Sequence, residues 1–183
     1  MILICSKQKL QEGISIVTKA ITGKTTMPIL EGIYLQATST GLTLIGSDMD
    51  VSIETKVEAD VLKEGSVVID AKLFAEIIRK LPNSDVKIEI IEGDLIQITC
   101  EKSVFNLVFM NASDYPSIPS INEEITVEVP QNLLKNMVKG TSFAIAQDEA
   151  RPILQGILFE VKDKELNLVA LDGYRLAVRT ELL

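Results

Sequence analysis

Three aspartates, Asp48, Asp50 and Asp172, are the residues whose type and spacing first suggest chemistry. Carboxylates held close together can bind a metal ion or exchange a proton. Each of these aspartates, however, lies in a turn after an alternating strand pattern, where an aspartate oxygen commonly accepts hydrogen bonds from backbone amides. The chain also has no histidine, the commonest general base and zinc ligand. We therefore expect turn-capping aspartates, no catalytic residue, no metal site and no cofactor.

Two cysteines, Cys5 and Cys100, are the other residues that could carry chemistry. They lack the close spacing of a metal-binding or redox pair, and each lies in an alternating apolar pattern typical of a strand. The sequence therefore predicts two reduced thiols in the core. The apolar stretch at residues 1–5 is too short for a signal sequence and no stretch is long enough for a membrane helix, so we expect a cytoplasmic protein without membrane contact.

Basic residues are concentrated in three segments with helical periodicity, although the net charge of the chain is −8. These segments hold nine of the 18 lysine and arginine residues but only three of the 26 acidic residues, and they span residues 7–24, 70–82 and 131–142. If the helices share a face, that face is electropositive and suits a polyanion. Lysines that merely keep helices soluble explain the same pattern, and the residues alone leave both interpretations open.

An internal repeat at an offset of 124 positions organises the chain. Residues 28–33 (PILEGI) align without a gap on residues 152–157 (PILQGI), and Asp48 aligns on Asp172. Because residues 125–183 match only residues 1–59, the second copy is expected to be incomplete. We expect a first module at residues 1–122 and half of a second module at residues 123–183, joined by a connector at residues 111–124.

A shorter repeat of the form βαβββ lies within the long one. The first unit is predicted as strand 1–5, helix 7–22 and strands 29–37, 41–46 and 51–57. The second is predicted as strand 66–69, helix 71–81 and strands 86–91, 95–100 and 104–110. The third is predicted as strand 125–129, helix 131–143 and strands near Ile153, Leu166 and Tyr174. The predicted fold class is α+β, with helices packed on antiparallel sheets.

Several stretches together resemble the bacterial DNA sliding clamp family, the beta subunit of DNA polymerase III, along the whole chain. They are the residues at 27–30, 114–116, 151–156 and 171–177 (LDGYRLA), with Asp48 and Asp172. The resemblance implies the DNA-clamp fold, with three modules per chain and two chains closed into a ring around duplex DNA. It implies a processivity factor for DNA replication, an accessory subunit without catalysis whose partners are DNA polymerase III and the clamp loader.

The resemblance also assigns residues to three surfaces. Nonspecific contact with the DNA backbone is implied for Lys24, Lys72, Lys80, Lys135, Lys139 and Arg151. A cleft for partner peptides, expected as a small apolar pocket with an arginine at its rim, is implied for Leu154, Leu171, Gly173, Tyr174, Arg175 and Leu176. The seam of the ring is implied for Ile77, Phe105 and Leu107, although packing in the core explains the same three residues. The family often has histidine at the position of Tyr174, which would change the peptide side chain that fits.

Two further expectations concern assembly. In one, the chain is a protein-interaction module that binds clamp partners without encircling DNA. In the other, which follows from the incomplete second copy, two chains join through residues 125–183 into a homo-oligomer, with the strand at Leu166 to Leu171 near the contact.

Overall fold

The computed structural model describes residues 1–23, 25–118, 126–148 and 151–183, which fold as two compact units, Met1–Pro119 and Ser120–Leu183. We call them the first module and the second unit. The strands and helices of the first module are β1 (Ile2–Ser6), α1 (Lys7–Val17), β2 (Gly32–Thr38), β3 (Gly41–Ser47), β4 (Ser52–Val57), β5 (Asp60–Lys63), β6 (Gly65–Asp70), α2 (Ala71–Lys80), β7 (Asp85–Ile91), β8 (Leu95–Cys100), β9 (Ser103–Val108) and β10 (Met110–Asn111).

Two antiparallel five-stranded sheets form the first module, with the orders β5-β1-β7-β8-β9 and β10-β6-β2-β3-β4. Each sheet combines strands of both βαβββ repeats. The first strand of one repeat, β1, pairs with β7 of the other, and β6 pairs in return with β2. The two repeats therefore complete each other's sheets by exchanging their first strands.

The core of the first module lies between the sheets and the two helices, which pack against each other. Leu10, Ile14 and Val17 of α1 meet Phe74 and Ile78 of α2 in one buried cluster. Full burial of each such side chain contributes about 1.5–3 kcal/mol. The amphipathic spacing thus fixes which helix face is buried and leaves the basic side chains on the other face.

A second cluster in the first module covers Leu30, which aligns on Leu154 in the long repeat. Leu30 is buried against Val68 and Tyr115. The Tyr115 ring, just before Pro116, also packs on Tyr34, with ring centroids 5.4 Å apart and planes tilted by 44°. The first part of the predicted connector therefore packs on the first module. Residues 119–124 of that connector lie outside the described residues.

The first module differs from the sequence prediction at three places. A strand that we did not predict, β5, pairs with β1. The backbone at Pro28–Glu31 is a 3₁₀ helix, so β2 begins at Gly32 rather than at residue 29. The predicted strand 104–110 is divided into β9 and β10, which lie in different sheets. The residues of β5 (DVLK) show too short an alternation for a sequence signal, and Pro28 favours a helical first turn.

The second unit contains α3 (Gln131–Thr141), β11 (Leu158–Lys162), β12 (Glu165–Leu171) and β13 (Leu176–Leu182). The three strands form one antiparallel sheet in the order β11-β12-β13, with α3 packed on one face. Met137, Leu166 and Leu168 are its buried centre. The described part of the second unit thus corresponds to one βαβββ repeat without its first strand.

The prediction of a strand at 125–129 is wrong for residues 126–129, which form no strand, and residue 125 lies outside the described residues. The equivalent strand in the first module, β1, is paired on both sides. Ile153 lies in a 3₁₀ turn at Pro152–Gln155 and Tyr174 lies in a loop, so the strands predicted there begin instead at Leu158 and Leu176. Hydrophobic alternation signals the capacity for a strand, whereas the hydrogen bonds of a strand also need a neighbour.

Candidate functional site

The turn that begins at Asp172 is the centre of the candidate site. Asp172 Oδ1 accepts hydrogen bonds from the backbone N–H groups of Tyr174 and Arg175, both at 3.0 Å. At the equivalent turn of the first module, Asp48 Oδ1 accepts from the N–H groups of Asp50 at 3.1 Å and Val51 at 2.8 Å. The interpretation of Asp48 and Asp172 as turn-capping residues is confirmed.

The second residue of each turn has a left-handed backbone. Gly173 has φ of 91°, and the equivalent Met49 has φ of 81°. Glycine adopts this conformation without steric cost, whereas a side chain pays about 1–2 kcal/mol.

We therefore expect Met49→Gly to stabilise the first module by about 0.5–1 kcal/mol, because the steric relief exceeds the added freedom of the unfolded chain. The matched Gly173→Ala should destabilise the second unit by a similar amount. Urea denaturation measures both changes. A lower unfolding midpoint for Met49→Gly would contradict the argument.

A cavity of about 310 Å³ lies beside the Asp172 turn. It brings together three of the residues assigned to the partner cleft, Leu154, Gly173 and Tyr174, and adds Arg151. The remaining lining residues are Ala146, Asp148 and Asp172. The cavity is therefore more polar than the small apolar pocket that we expected, since Arg151 and two carboxylates join the apolar leucine.

Arg175 stabilises the turn through an ion pair with Asp172. Its Nε atom donates to Asp172 Oδ2 at 2.8 Å, and its guanidinium carbon lies 5.9 Å from the centre of the Phe143 ring. The Tyr174 N–H, helped by the Arg175 backbone and guanidinium, holds the pKa of Asp172 below its usual value. Because this pKa is depressed, the stabilisation of the turn is complete at neutral pH and is lost as the pH falls through the pKa of folded Asp172.

The other cleft residues lie along the adjacent strand ends. Leu171 and Leu176 are directly opposite each other where β12 and β13 meet the turn, and both are exposed. Tyr174, at the tip, is 99% exposed. Sequence reasoning missed Phe143 and the entry of Arg151 into the cavity, because neither contact is visible as a periodic or repeated pattern.

The residues assigned to DNA contact differ in their exposure and in their ion pairs. Lys72 on α2 and Lys135 and Lys139 on α3 are exposed and form no ion pair with another described residue. Lys80 donates to Glu76 one helical turn away at 2.7 Å, which partly neutralises it. Arg151 lines the cavity described above. Lys24 lies outside the described residues.

The residues assigned to the ring seam are unequally accessible. Ile77 and Leu107 are buried in the core of the first module. Phe105 is 39% exposed on β9, the last strand of its sheet in the described residues. Phe105 is therefore the most accessible side chain of this set.

Both cysteines are free and buried, which confirms the interpretation of reduced core thiols. Burial raises the pKa of Cys5 to about 12 and also raises the pKa of Cys100. Across the described ranges, no three His, Cys, Asp or Glu side chains converge as a metal site. The helices of those same ranges are too short or too polar to cross a membrane.

Comparison with known proteins explains the two-part architecture. Residues 1–119 match the family model of the DNA polymerase III beta subunit, N-terminal domain, and residues 128–183 match the model of the central domain. The chain belongs to the DNA polymerase III beta subunit family. The two matches follow the order of the structural units, and the α+β architecture described above is the DNA-clamp fold.

Curated relatives and solved structures agree with this family assignment. The beta sliding clamp of Bacillus subtilis is 40% identical over an alignment of 181 positions that covers 94% of this chain and 48% of that protein. The beta sliding clamp of Halalkalibacterium halodurans is 39% identical over 176 residues, covering 92% and 46%. The crystal structure of the Bacillus subtilis DNA polymerase sliding clamp superimposes with a TM-score of 0.94 at 38% identity, over 100% of this chain and 50% of that one. The chain spans about half the length of these relatives.

Proposed function

We propose that this chain acts in DNA replication as part of a sliding clamp, a processivity factor that holds duplex DNA and docks replication proteins. The observation that carries the proposal is the match of both structural units, in order, to the first two domains of the DNA polymerase III beta subunit. In this role the chain is an accessory subunit, and its own residues perform no catalytic step.

Contact with DNA is assigned to the exposed helix lysines. Lys135 and Lys139 are four positions apart, so they project from the same side of α3, and Lys72 stands near the start of α2. Lys24, Lys80 and Arg151 complete the proposed set. Lysine ammonium groups without interleaved aromatic residues attract phosphates and read no base edges. The proposed binding is therefore independent of DNA sequence.

The salt dependence of duplex binding tests this proposal. Fluorescence anisotropy should show weak binding, with log K falling by about 0.9 per log unit of salt for each phosphate neutralised. Three to five contacts predict a slope between about −2.7 and −4.5, equal for duplexes of different sequence. A slope near zero, or a preference for one sequence, would refute the proposal.

Partner docking is assigned to the cavity at Leu154 and Tyr174, together with the neighbouring Leu171, Arg175 and Leu176. Its proposed partners are peptides of DNA polymerase III and clamp-loader subunits. The apolar stem of Arg175 and the exposed leucines offer surface to an apolar peptide side chain. Because the relatives are twice as long, we expect such a peptide to bind this chain more weakly than it binds the Bacillus subtilis clamp. The ring seam is proposed at Phe105, with the edges of Ile77 and Leu107.

An interaction module that binds clamp partners without encircling DNA is the second candidate. It is favoured by the location of the proposed cleft, whose residues all lie within the second unit. Calorimetry with a polymerase peptide, run beside the DNA titration, separates the candidates. Peptide binding without any salt-dependent DNA binding would favour the interaction module, and binding of both would favour the clamp.

A further inference from the structure

Arg175 joins two walls of the cavity beside the Asp172 turn. The first wall is the turn itself, which connects β12 to β13. The second wall is the segment after α3, in which Ala146 lines the cavity three positions beyond Phe143. Arg175 starts in the first wall, and its guanidinium carbon lies 5.9 Å from the centre of the Phe143 ring. Among the described residues, the lining of the cavity includes Asp172 but not Arg175. Arg175 is therefore placed to link the walls from outside the cavity.

Two contacts hold the Arg175 side chain in this place. Its Nε atom donates to Asp172 Oδ2 at 2.8 Å, and the Phe143 ring attracts its guanidinium group. The Arg175 side chain is 56% exposed, whereas the Asp172 side chain is only 17% exposed. A half-exposed arginine without such contacts samples many rotamers. The carboxylate and the ring together restrict it to the link between the walls.

The first module shows that the turn does not need this pair. Its equivalent turn keeps the capping aspartate, Asp48, with the same two hydrogen bonds to backbone N–H groups. The long repeat, however, places Val51 at the position of Arg175. It places Lys19 at the position of Phe143, in the matching 3₁₀ turn after α1. The turn thus forms without an arginine or an aromatic ring, and the pair is an addition of the second unit.

This addition occurs where the cavity is open. In the first module, Leu30 is buried beneath Tyr115, whereas its counterpart Leu154 lines the cavity. The second wall is already joined to Leu154, because the N–H group of Ala146 donates to the Leu154 carbonyl at 3.0 Å. The contact of Arg175 with Phe143 adds a corresponding link to the turn. The pair therefore serves the cavity rather than the formation of the turn.

The core beneath the link is built from small side chains. Ala144, Ala170 and Ala177 form a buried cluster where the second wall meets β12 and β13. Alanine buries little apolar area, so this cluster holds the walls together less firmly than larger side chains would. A restraint above the cluster then has a measurable effect on the spacing of the walls.

We propose that Asp172 and Phe143 are positioning residues for the partner-peptide cavity, because together they hold Arg175 as the link between its two walls. The inference rests on the proposed docking of partner peptides. Asp172 acts here through Oδ2, separately from the Oδ1 atom that caps the turn. Phe143 acts from outside the cavity. A peptide then meets walls whose spacing is set before it binds, which lowers the cost of ordering the site.

A double-mutant cycle on peptide affinity tests the link. Phe143→Leu removes the ring and keeps an apolar side chain, so it should weaken binding of the polymerase peptide about 2- to 5-fold, the range for an exposed cation–ring contact. Phe143→Tyr keeps the ring and should retain full affinity. In an Arg175→Gln background, Phe143→Leu should cause no further loss, because the partner of the ring is gone. Calorimetry measures all four chains.

Two further variants separate positioning from folding. Asp172→Asn keeps an Oδ1 acceptor for the turn but loses the ion pair, so it should weaken peptide binding while the turn remains. Phe159→Leu is the matched control, since Phe159 is a 51% exposed phenylalanine of the second unit outside the cavity lining. It should leave peptide affinity unchanged. Because Phe143 is itself 59% exposed, Phe143→Leu should keep the urea midpoint of the unaltered chain.

An NMR measurement tests the link without any peptide. The hydrogen bond to Asp172 should slow exchange of the Arg175 Nε–H proton with water and give a resolved signal, which Arg175→Gln identifies by its loss. Phe143→Leu should speed this exchange by about 2-fold or more, because the guanidinium group loses its second contact. Phe143→Tyr and Phe159→Leu should leave the exchange rate unchanged.

Each outcome decides the inference. Equal affinity of Phe143→Leu and the unaltered chain would overturn it while leaving peptide docking in place. Additive losses in the double variant would show that Phe143 touches the peptide itself, and a loss that tracks a lower urea midpoint would show that it only supports the fold. Either result overturns the inference. If the unaltered chain binds no peptide, the proposed docking fails, and unchanged proton exchange in Phe143→Leu would then show that the ring does not hold Arg175.

Discussion

Replacing Leu154 with aspartate is expected to lower the affinity of the second unit for a clamp-binding peptide of DNA polymerase III at least ~100-fold, because an unpaired charge in an occupied pocket costs several kcal/mol. Leu176→Asp should have a similar effect, since Leu176 flanks the Asp172 turn. Isothermal titration calorimetry with one synthetic peptide measures both changes.

Leu182→Asp is the matched control for peptide binding. Leu182 is an exposed leucine on the same strand as Leu176, at the end far from the cavity. Peptide affinity should be unchanged in this variant. If Leu182→Asp and Leu154→Asp weakened binding equally, the peptide would not be using the cavity.

Reversing the charge of Lys72, Lys135 and Lys139 together, each to glutamate, is expected to remove measurable duplex binding. Nonspecific complexes typically have Kd values on the order of 10⁻⁴ to 10⁻⁶ M, and the loss of three phosphate contacts moves Kd beyond about 1 mM. Single Lys→Gln variants should each reduce the salt slope by about 0.9. Fluorescence anisotropy at about 0.1 M salt is the measurement, because charges more than about 10 Å from the DNA are then screened.

A second triple variant controls for net charge. Lys56, Lys102 and Lys164 are exposed and lie outside the helices. Reversing these three charges changes the total charge equally but should weaken DNA binding only slightly, since long-range repulsion is screened beyond about 10 Å at 0.1 M salt. Equal losses in both triple variants would show that net charge, and not the helix faces, controls binding.

Hydrophobic periodicity predicted the helices and most of the strands because it records which side of an element is buried. The alternation at 95–100 matches β8 at both ends, and the turn-capping role of Asp48 follows from residue type and position. These features depend on residues close together in the sequence, so the sequence displays them directly.

The features that sequence reasoning missed depend on neighbours distant along the chain. Residues 126–129 have the pattern of a strand but no paired neighbour among the described residues. The interaction of Arg175 with Phe143 arises only when separate elements pack together. Periodicity therefore identified faces of elements but not which faces remain open.

The packing of Tyr115 on Leu30 closes the first copy of the repeat as a peptide-binding site. Leu30 is the counterpart of Leu154, but it is buried beneath a ring from its own module, whereas Leu154 borders an open cavity. The two copies of the repeat are thus unequal as receptors, and under the proposed function the described residues of one chain offer one peptide site rather than two. Two partners held at once would then need two such second units, and avidity would be a property of the assembly.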